Sequence, residues 1–190
     1  NIASYGGDPD FIAVTGGSAG AHLASLAALT ASEEQLQPGF EDADTTVQAV
    51  APYYGVYDLT DVEKMHEMML PFLEHFVMQE RYADDPQLFE SASPISHSHR
   101  EAPPFFVLHG ENDSVIPSVQ AQAFCAALRD AGAPTVCYAE LPNAHHAFDT
   151  VATVRSRLVA DAVADFFGVA YGRYLLSRSA LLADHATPAS

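Results

Sequence analysis

The feature that most restricts the fold of this chain is a run of small residues set between two different patterns. Asp10 to Thr15 (DFIAVT) is a short apolar run after the turn signal Gly6-Gly7-Asp8-Pro9, and it reads as a buried strand entered from a turn. Farther on, Leu23, Leu26 and Ala27 recur at helical spacing through an alanine-rich stretch that ends near Thr30. Between strand and helix stands Gly16-Gly17-Ser18-Ala19-Gly20. A chain that changes from strand to helix over so few residues must reverse sharply, and small flanking residues tolerate the strain and the crowding. Such a turn lifts Ser18 above the sheet at a helix N-terminus, where backbone amides, that of Ala19 above all, can face a developing oxyanion. The plainer alternative is a glycine-rich turn with a capping serine.

A second apolar run, Val47 to Tyr54, follows the polar segment Leu36 to Thr45 and suits another buried strand. Phe105 to His109 predicts a third strand and Thr135 to Leu141 a fourth, with Ala121, Phe124, Cys125 and Leu128 marking the helix between them. A last core helix is predicted from about Thr150 to Phe167, with Val159, Val163 and Phe166 as its stripe and Gly168 as its stop. Strands and helices alternate, so the predicted class is α/β, a mostly parallel sheet with helices on both faces. From Thr60 to about Gln79 a helical pattern puts Met65, Met69, Phe72 and Phe76 on one face and is broken or kinked at Pro71. Tyr82 to Pro104 reads as irregular.

A serine hydroxyl is a weak nucleophile at neutral pH, so a catalytic Ser18 needs a histidine to take its proton and a carboxylate to orient that histidine. Loops that follow parallel strands open on one edge of a sheet, and two later loops carry those residue types. The third strand runs into HGENDSVIP, which places Asp113 beyond its end, and the fourth into LPNAHHAFD, which offers His145 and His146. Each residue alone has a plainer reading: Asp113 could cap the helix beginning near Pro117, and either histidine could be a solvated loop residue. No plain reading accounts for Ser18, Asp113 and His146 together.

The stretches YGGDPDFIAVTGGSAGAHLA, HGENDSVIP and LPNAHHAFD resemble those of the α/β-hydrolase esterases and lipases related to hormone-sensitive lipase, and the likeness runs from Tyr5 to about Phe167. The resemblance implies Ser18 as nucleophile, Asp113 as triad acid and His146, before a small residue and Phe, as base, in preference to His145 and to Glu111. It implies ester hydrolysis through an acyl-enzyme, with the Ala19 amide in the oxyanion hole and no cofactor. Residues 1–167 are then the C-terminal part of the catalytic domain, with a cap-like insertion at about 60–95, and residues 168–190 are a tail holding at most one helix. The stripe on the insertion either lines an acyl pocket or packs on the core. Two departures stand out. Ala21 occupies a position that is usually glycine, and the His-Gly-Gly segment that completes the oxyanion hole is absent, as are the first strands of the sheet. The chain opens on Asn-Ile-Ala-Ser-Tyr without an initiator Met, so upstream residues are expected to be missing. A peptidase or amidase on the same fold, or a truncated non-catalytic remnant, are the alternatives.

Charge narrows the partners. With 25 acidic against 8 basic residues the net charge is −17, a surface that repels phosphate backbones, so nucleic acid is not expected as a partner, and the resemblance implies a small-molecule ester or lipid-like substrate. No apolar run approaches the roughly 20 residues that cross a bilayer, and the expectation is a cytoplasmic protein without stable membrane insertion. The oligomeric state is left open. Cys125 and Cys137 read as buried thiols rather than a disulfide framework. No metal site is predicted: His66-Glu67 is followed by Leu70 where a second histidine would be needed, and the other histidine pairs are too close to define one.

Overall fold

The computed structural model describes residues 2–31, 33–60 and 69–185. Four strands, β1 (Ala13–Gly17), β2 (Ala49–Tyr53), β3 (Phe105–Gly110) and β4 (Val136–Leu141), form one parallel sheet in chain order, with β1 and β4 at its edges. Helices α1 (Ala19–Leu29), α4 (Ser118–Asp130) and α5 (Val154–His185) cover the faces, and α2 (Met69–Phe72) and α3 (Pro86–Ser91) lie between β2 and β3. Alternation along the strands sorts the faces. Val50 and Val107 point to a core shared with Ala28 and Leu29 of α1 and Phe124 and Leu128 of α4, whereas Ala51 and Leu108 meet Val159 and Val163 of α5 on the other side. Phe124 is fully buried, stacked on Tyr57 at 4.4 Å and edge-on to Phe105, and burying one such side chain contributes roughly 1.5–3 kcal/mol. Pro52 lies within β2 and brings no N–H to the β2–β3 ladder, where the paired residues are Val50 with Phe105 and Tyr53 with Leu108.

The α/β architecture is the predicted one, and the structure corrects several local expectations. In α1 the buried residues are Ala21, Ser25, Ala28 and Leu29, and Leu23 stands out at 62% exposure. An alanine-rich helix has almost no apolar moment, so its face is chosen by which side chains are small enough to approach the sheet. Within Tyr82 to Pro104 there is α3, started by Asp85, whose carboxylate accepts from the Leu88 N–H at 3.1 Å, with Pro86 in the first turn. The helix expected to stop at Gly168 continues through it to His185, so no break marks the expected boundary between 167 and 168. One glycine costs a helix interior only about 1 kcal/mol, and beyond it Tyr171 and Tyr174 pack on Phe11 with centroids 4.9 and 5.4 Å away. Cys125 is buried, with its thiol pushed up to about 12 by that burial, but Cys137 on edge strand β4 is exposed.

Met65, His66 and Glu67 lie outside the described residues. Beyond them, Met69–Phe72 is α-helical and passes into a π-helical segment, Leu73–Met78. Wider winding after Pro71 shifts the face: Leu73 is buried in a small core with Val56, Leu59, Phe89 and Ile116, and Met69 packs against it. Phe72 and Phe76 face outward and touch each other at 5.5 Å. The described part of the predicted stripe is therefore divided between two environments. Its Met69 end packs on the core.

Candidate active site

The elbow after β1 is built by exclusion. Ser18 has φ 54° and ψ −120°, a strained left-handed conformation for a residue with a side chain, and its N–H donates to the Tyr53 carbonyl at 3.0 Å. A methyl group on Gly16 would lie 2.5 Å from the Gly20 backbone, and one on Gly17 would lie 2.7 Å from the Tyr54 hydroxyl. Ala21 is fully buried, so the alanine that replaces the usual glycine is accommodated in close packing. Ala19 is the first residue of α1, a position whose amide has no intrahelical acceptor.

His146 bridges the other two candidates. Its Nε2 is 3.0 Å from Ser18 Oγ and its Nδ1 is 2.7 Å from Asp113 Oδ2. An ionised carboxylate can only accept, so Nδ1 carries the proton and Nε2 is free to accept from the serine hydroxyl, the tautomer a general base requires. Asp113 is enclosed: its side chain is 0% exposed, against 16% for that of His146. Its Oδ1 accepts from the N–H groups of Val115 and Ile116 at 2.9 and 2.8 Å, in the loop ahead of α4. The helix-cap reading of Asp113 is thereby replaced, since α4 begins at Ser118 and the carboxylate holds the turn before it. Burial would raise its pKa, but the N–H groups of His109, Ile116, His146 and Val115 outweigh burial and hold it at about 2.

The remaining candidates tie the acid and base loops together. The Glu111 carboxylate accepts from the Asn143 N–H at 2.9 Å, and His145 Nδ1 is 2.9 Å from the Asn112 carbonyl, where it donates. Two backbone bonds cross between the same loops, from Glu111 N–H to Leu141 and from Asn112 N–H to Ala144. Gly110 permits this approach, because a methyl group there would lie 2.5 Å from the Ala144 carbonyl oxygen. Neither Glu111 nor His145 reaches the serine.

Three residues at the site carry no local signal. His109, at the end of β3, is fully buried; its Nε2–H donates to the Ile116 carbonyl at 2.9 Å and lies 3.4 Å from Asp113 Oδ2. Tyr54, just past β2, packs its ring on His146 at 4.7 Å and donates from its hydroxyl to Asp149, 95 residues away in the chain. His109 and Asp149 lie inside the stretches HGENDSVIP and LPNAHHAFD, and Tyr54 ends the second apolar run, but nothing local assigns any of the three a role. Among the described residues no cluster of three or more His, Cys, Asp or Glu could hold a metal ion, and no helix is long and apolar enough to cross a membrane.

The comparisons bear on the family and the fold. The sequence pattern of the BD-FAE family matches residues 1–128. Esterase LipQ of Mycobacterium tuberculosis is 72% identical over 190 residues, all of this chain and 45% of LipQ. The probable carboxylic ester hydrolase LipM of the same organism is 52% identical over 172 residues, 90% of this chain and 40% of LipM. The chain thus spans less than half the length of these relatives. Among solved structures, esterase B from Lactobacillus rhamnosis superposes with a TM-score of 0.73 at 20% identity, covering 94% of this chain and 60% of that one, a likeness of fold.

Proposed function

The chain belongs to the BD-FAE family, among the esterases and lipases of the α/β-hydrolase fold, and on that footing we propose that it is the triad-bearing part of a serine carboxylic ester hydrolase. The observation that carries the reading is the unbroken line Ser18 Oγ, His146 Nε2, His146 Nδ1, Asp113 Oδ2, with links of 3.0 and 2.7 Å at the mouth of a parallel sheet.

In this reading Ser18 Oγ attacks the ester carbonyl carbon as its proton passes to His146 Nε2, and the carbonyl electron pair moves to oxygen. The Ala19 N–H donates to that oxyanion. Collapse of the adduct breaks the bond to the alcohol, which leaves with the proton from His146, and the acyl group stays on Ser18. Water then attacks the acyl carbon, giving its proton to His146, and collapse breaks the bond to Ser18 Oγ, which takes the proton back from His146 as the acid is released. Asp113 remains ionised throughout, orienting the imidazole and stabilising its charged form. A second oxyanion donor is required, and the resemblance assigns it to a His-Gly-Gly segment, which these 190 residues do not contain. The substrate is a small-molecule or lipid-like ester.

A fluorophosphonate probe on the full-length protein tests this directly. The expected result is a label on the peptide carrying Ser18, and loss of p-nitrophenyl butyrate hydrolysis by about 10⁴-fold or more in Ser18→Ala. Labelling at another residue, or a Ser18→Ala enzyme within tenfold of wild type, would overturn the reading. Matched ester and anilide substrates separate an esterase from an amidase, and a preference for the anilide would replace the ester assignment.

A further inference from the structure

The two hydrogen bonds of His146 leave from its two ring nitrogens, in the plane of the ring, so neither of them touches the ring's face. Something must hold its face. We propose that Tyr54 is the positioning residue that does so, with Asp149 as its anchor, an inference that rests on His146 being the catalytic base.

Four independent observations converge on this side chain. Tyr54 has φ 40°, a left-handed conformation rare for an aromatic residue, and is only 4% exposed. Its ring meets the His146 imidazole with centroids 4.7 Å apart at a tilt of 60°, and Phe148 meets the Tyr54 ring edge-on at 5.3 Å. Its hydroxyl donates to Asp149 Oδ1. Lastly, it fills the space that Gly17 leaves open, since a methyl group on Gly17 would lie 2.7 Å from that hydroxyl. One side chain thus touches the strand end that bears the nucleophile, the face of the base and the segment just beyond the base.

The base loop needs such a tie. Asn143 and Ala147, on either side of His146, have φ of 54° and 58°, both in the left-handed region without being glycine. Strained residues keep their angles only where surrounding contacts over-determine them. On one side the loop is laced to the acid loop, as described above. The Tyr54–Asp149 bond supplies a hold on the other side, three residues after His146, from the end of β2. Burial and the neighbouring Asp149 raise the pKa of the phenol, so it keeps its proton and donates at any working pH. It therefore serves as a wall and a latch and does not itself exchange protons with substrate.

The test uses the full-length protein carrying Tyr54→Phe, Tyr54→Leu, Asp149→Ala and Asp149→Asn, with kcat and KM for p-nitrophenyl butyrate, the rate of fluorophosphonate labelling at Ser18, and thermal melting. Tyr54→Phe keeps the wall and loses the latch, and kcat is expected to fall about tenfold with KM within about twofold. Tyr54→Leu also removes the wall, and the fall is expected to reach about 100-fold, the scale that a displacement of about 1 Å produces. Asp149→Ala should match Tyr54→Phe. Asp149→Asn keeps an accepting oxygen and should recover most of the kcat lost in Asp149→Ala. Labelling rates should follow kcat in every variant. If Tyr54→Leu fails to fold, Tyr54→Phe and the Asp149 pair still decide the matter. Wild-type kcat and labelling rates in Tyr54→Phe and Asp149→Ala would overturn the proposal while leaving Ser18 labelling intact, whereas absence of Ser18 labelling in the wild type would overturn the esterase reading beneath it.

Discussion

The two ends of the triad are held by opposite means. At the acid end, Asp113 is fully enclosed, and both carboxylate oxygens are occupied by N–H groups. At the serine end, Ser18 is half-buried, its hydroxyl meets His146, and its position comes from a strained φ and from packing too close for side chains, against the Gly20 backbone at Gly16 and against the Tyr54 ring at Gly17. Asp113 carries a permanent charge, and a buried charge must be compensated by donors wherever it sits. In the proposed reaction Ser18 presents a lone pair to an incoming carbon, and every additional hydrogen bond to Oγ would occupy the electrons it needs. Steric placement fixes the atom and leaves its chemistry free.

The largest break in this contrast is expected from Asp113→Asn. The amide keeps the shape of the carboxylate but no longer favours the Nδ1–H tautomer or the imidazolium, and kcat should fall by about 10⁴-fold. Far-UV and near-UV circular dichroism should stay native, which separates loss of charge from loss of fold. A smaller break comes from the steric end. In Gly17→Ala the new methyl group must displace Tyr54, which is wedged against His146, Phe148 and Asp149. Overpacking of this kind costs about 1–3 kcal/mol of stability, and the displaced ring should lower kcat by about 100-fold. A urea midpoint and a kcat both equal to wild type would show that Tyr54 yields freely, and the elbow would not be sterically held.

How far the sequence reveals these two ends depends on the range of the interactions. Strands β1 to β4 are legible because short apolar runs bounded by turn residues are local signals, and the meeting of Ser18, Asp113 and His146 is legible because the loops that carry them follow those strands. The bias of an alanine-rich helix is weak, so the buried face of α1, set by Ala21, Ser25, Ala28 and Leu29, emerges only against the sheet. Helix α3 had a readable start in Asp85-Pro86, hidden by the polar residues around it. Gly168 looked like a stop because glycine usually ends helices, yet the aromatic contact of Phe11 with Tyr171 and Tyr174 lies beyond it. For His109, Tyr54 and Asp149 it is the role that stays unreadable, for another reason. Their roles exist only through contacts made across the assembled sheet edge.

Acid offers a milder way to probe the enclosed end. Asp113 is held at about 2 from an ordinary 3.8, a lowered folded pKa. The stabilisation it contributes is therefore complete above about pH 4 and is lost as pH falls through 2, and its size is on the order of 2 kcal/mol. Urea unfolding at about pH 5 and about pH 2 should show the wild type losing roughly that much more than Asp113→Asn, which has no charge to lose. Equal losses in the two proteins would mean that the donors around Asp113 do not favour its ionised form.

The smallest effect belongs to the third glycine of the elbow. Gly20 lies in the same motif as Gly16 and Gly17, but a methyl group there meets nothing within 4 Å, and no positive φ is found at this position. It lies in the first turn of α1, where alanine restricts the unfolded chain and favours the helix. Gly20→Ala should therefore stabilise the protein by about 0.4–1 kcal/mol, with kcat within about twofold of wild type. Set beside Gly17→Ala, it asks whether the motif needs glycine throughout or only where neighbouring atoms press on it. Destabilisation by Gly20→Ala on the scale of Gly17→Ala would mean that the turn itself, and not the Tyr54 contact, demands glycine.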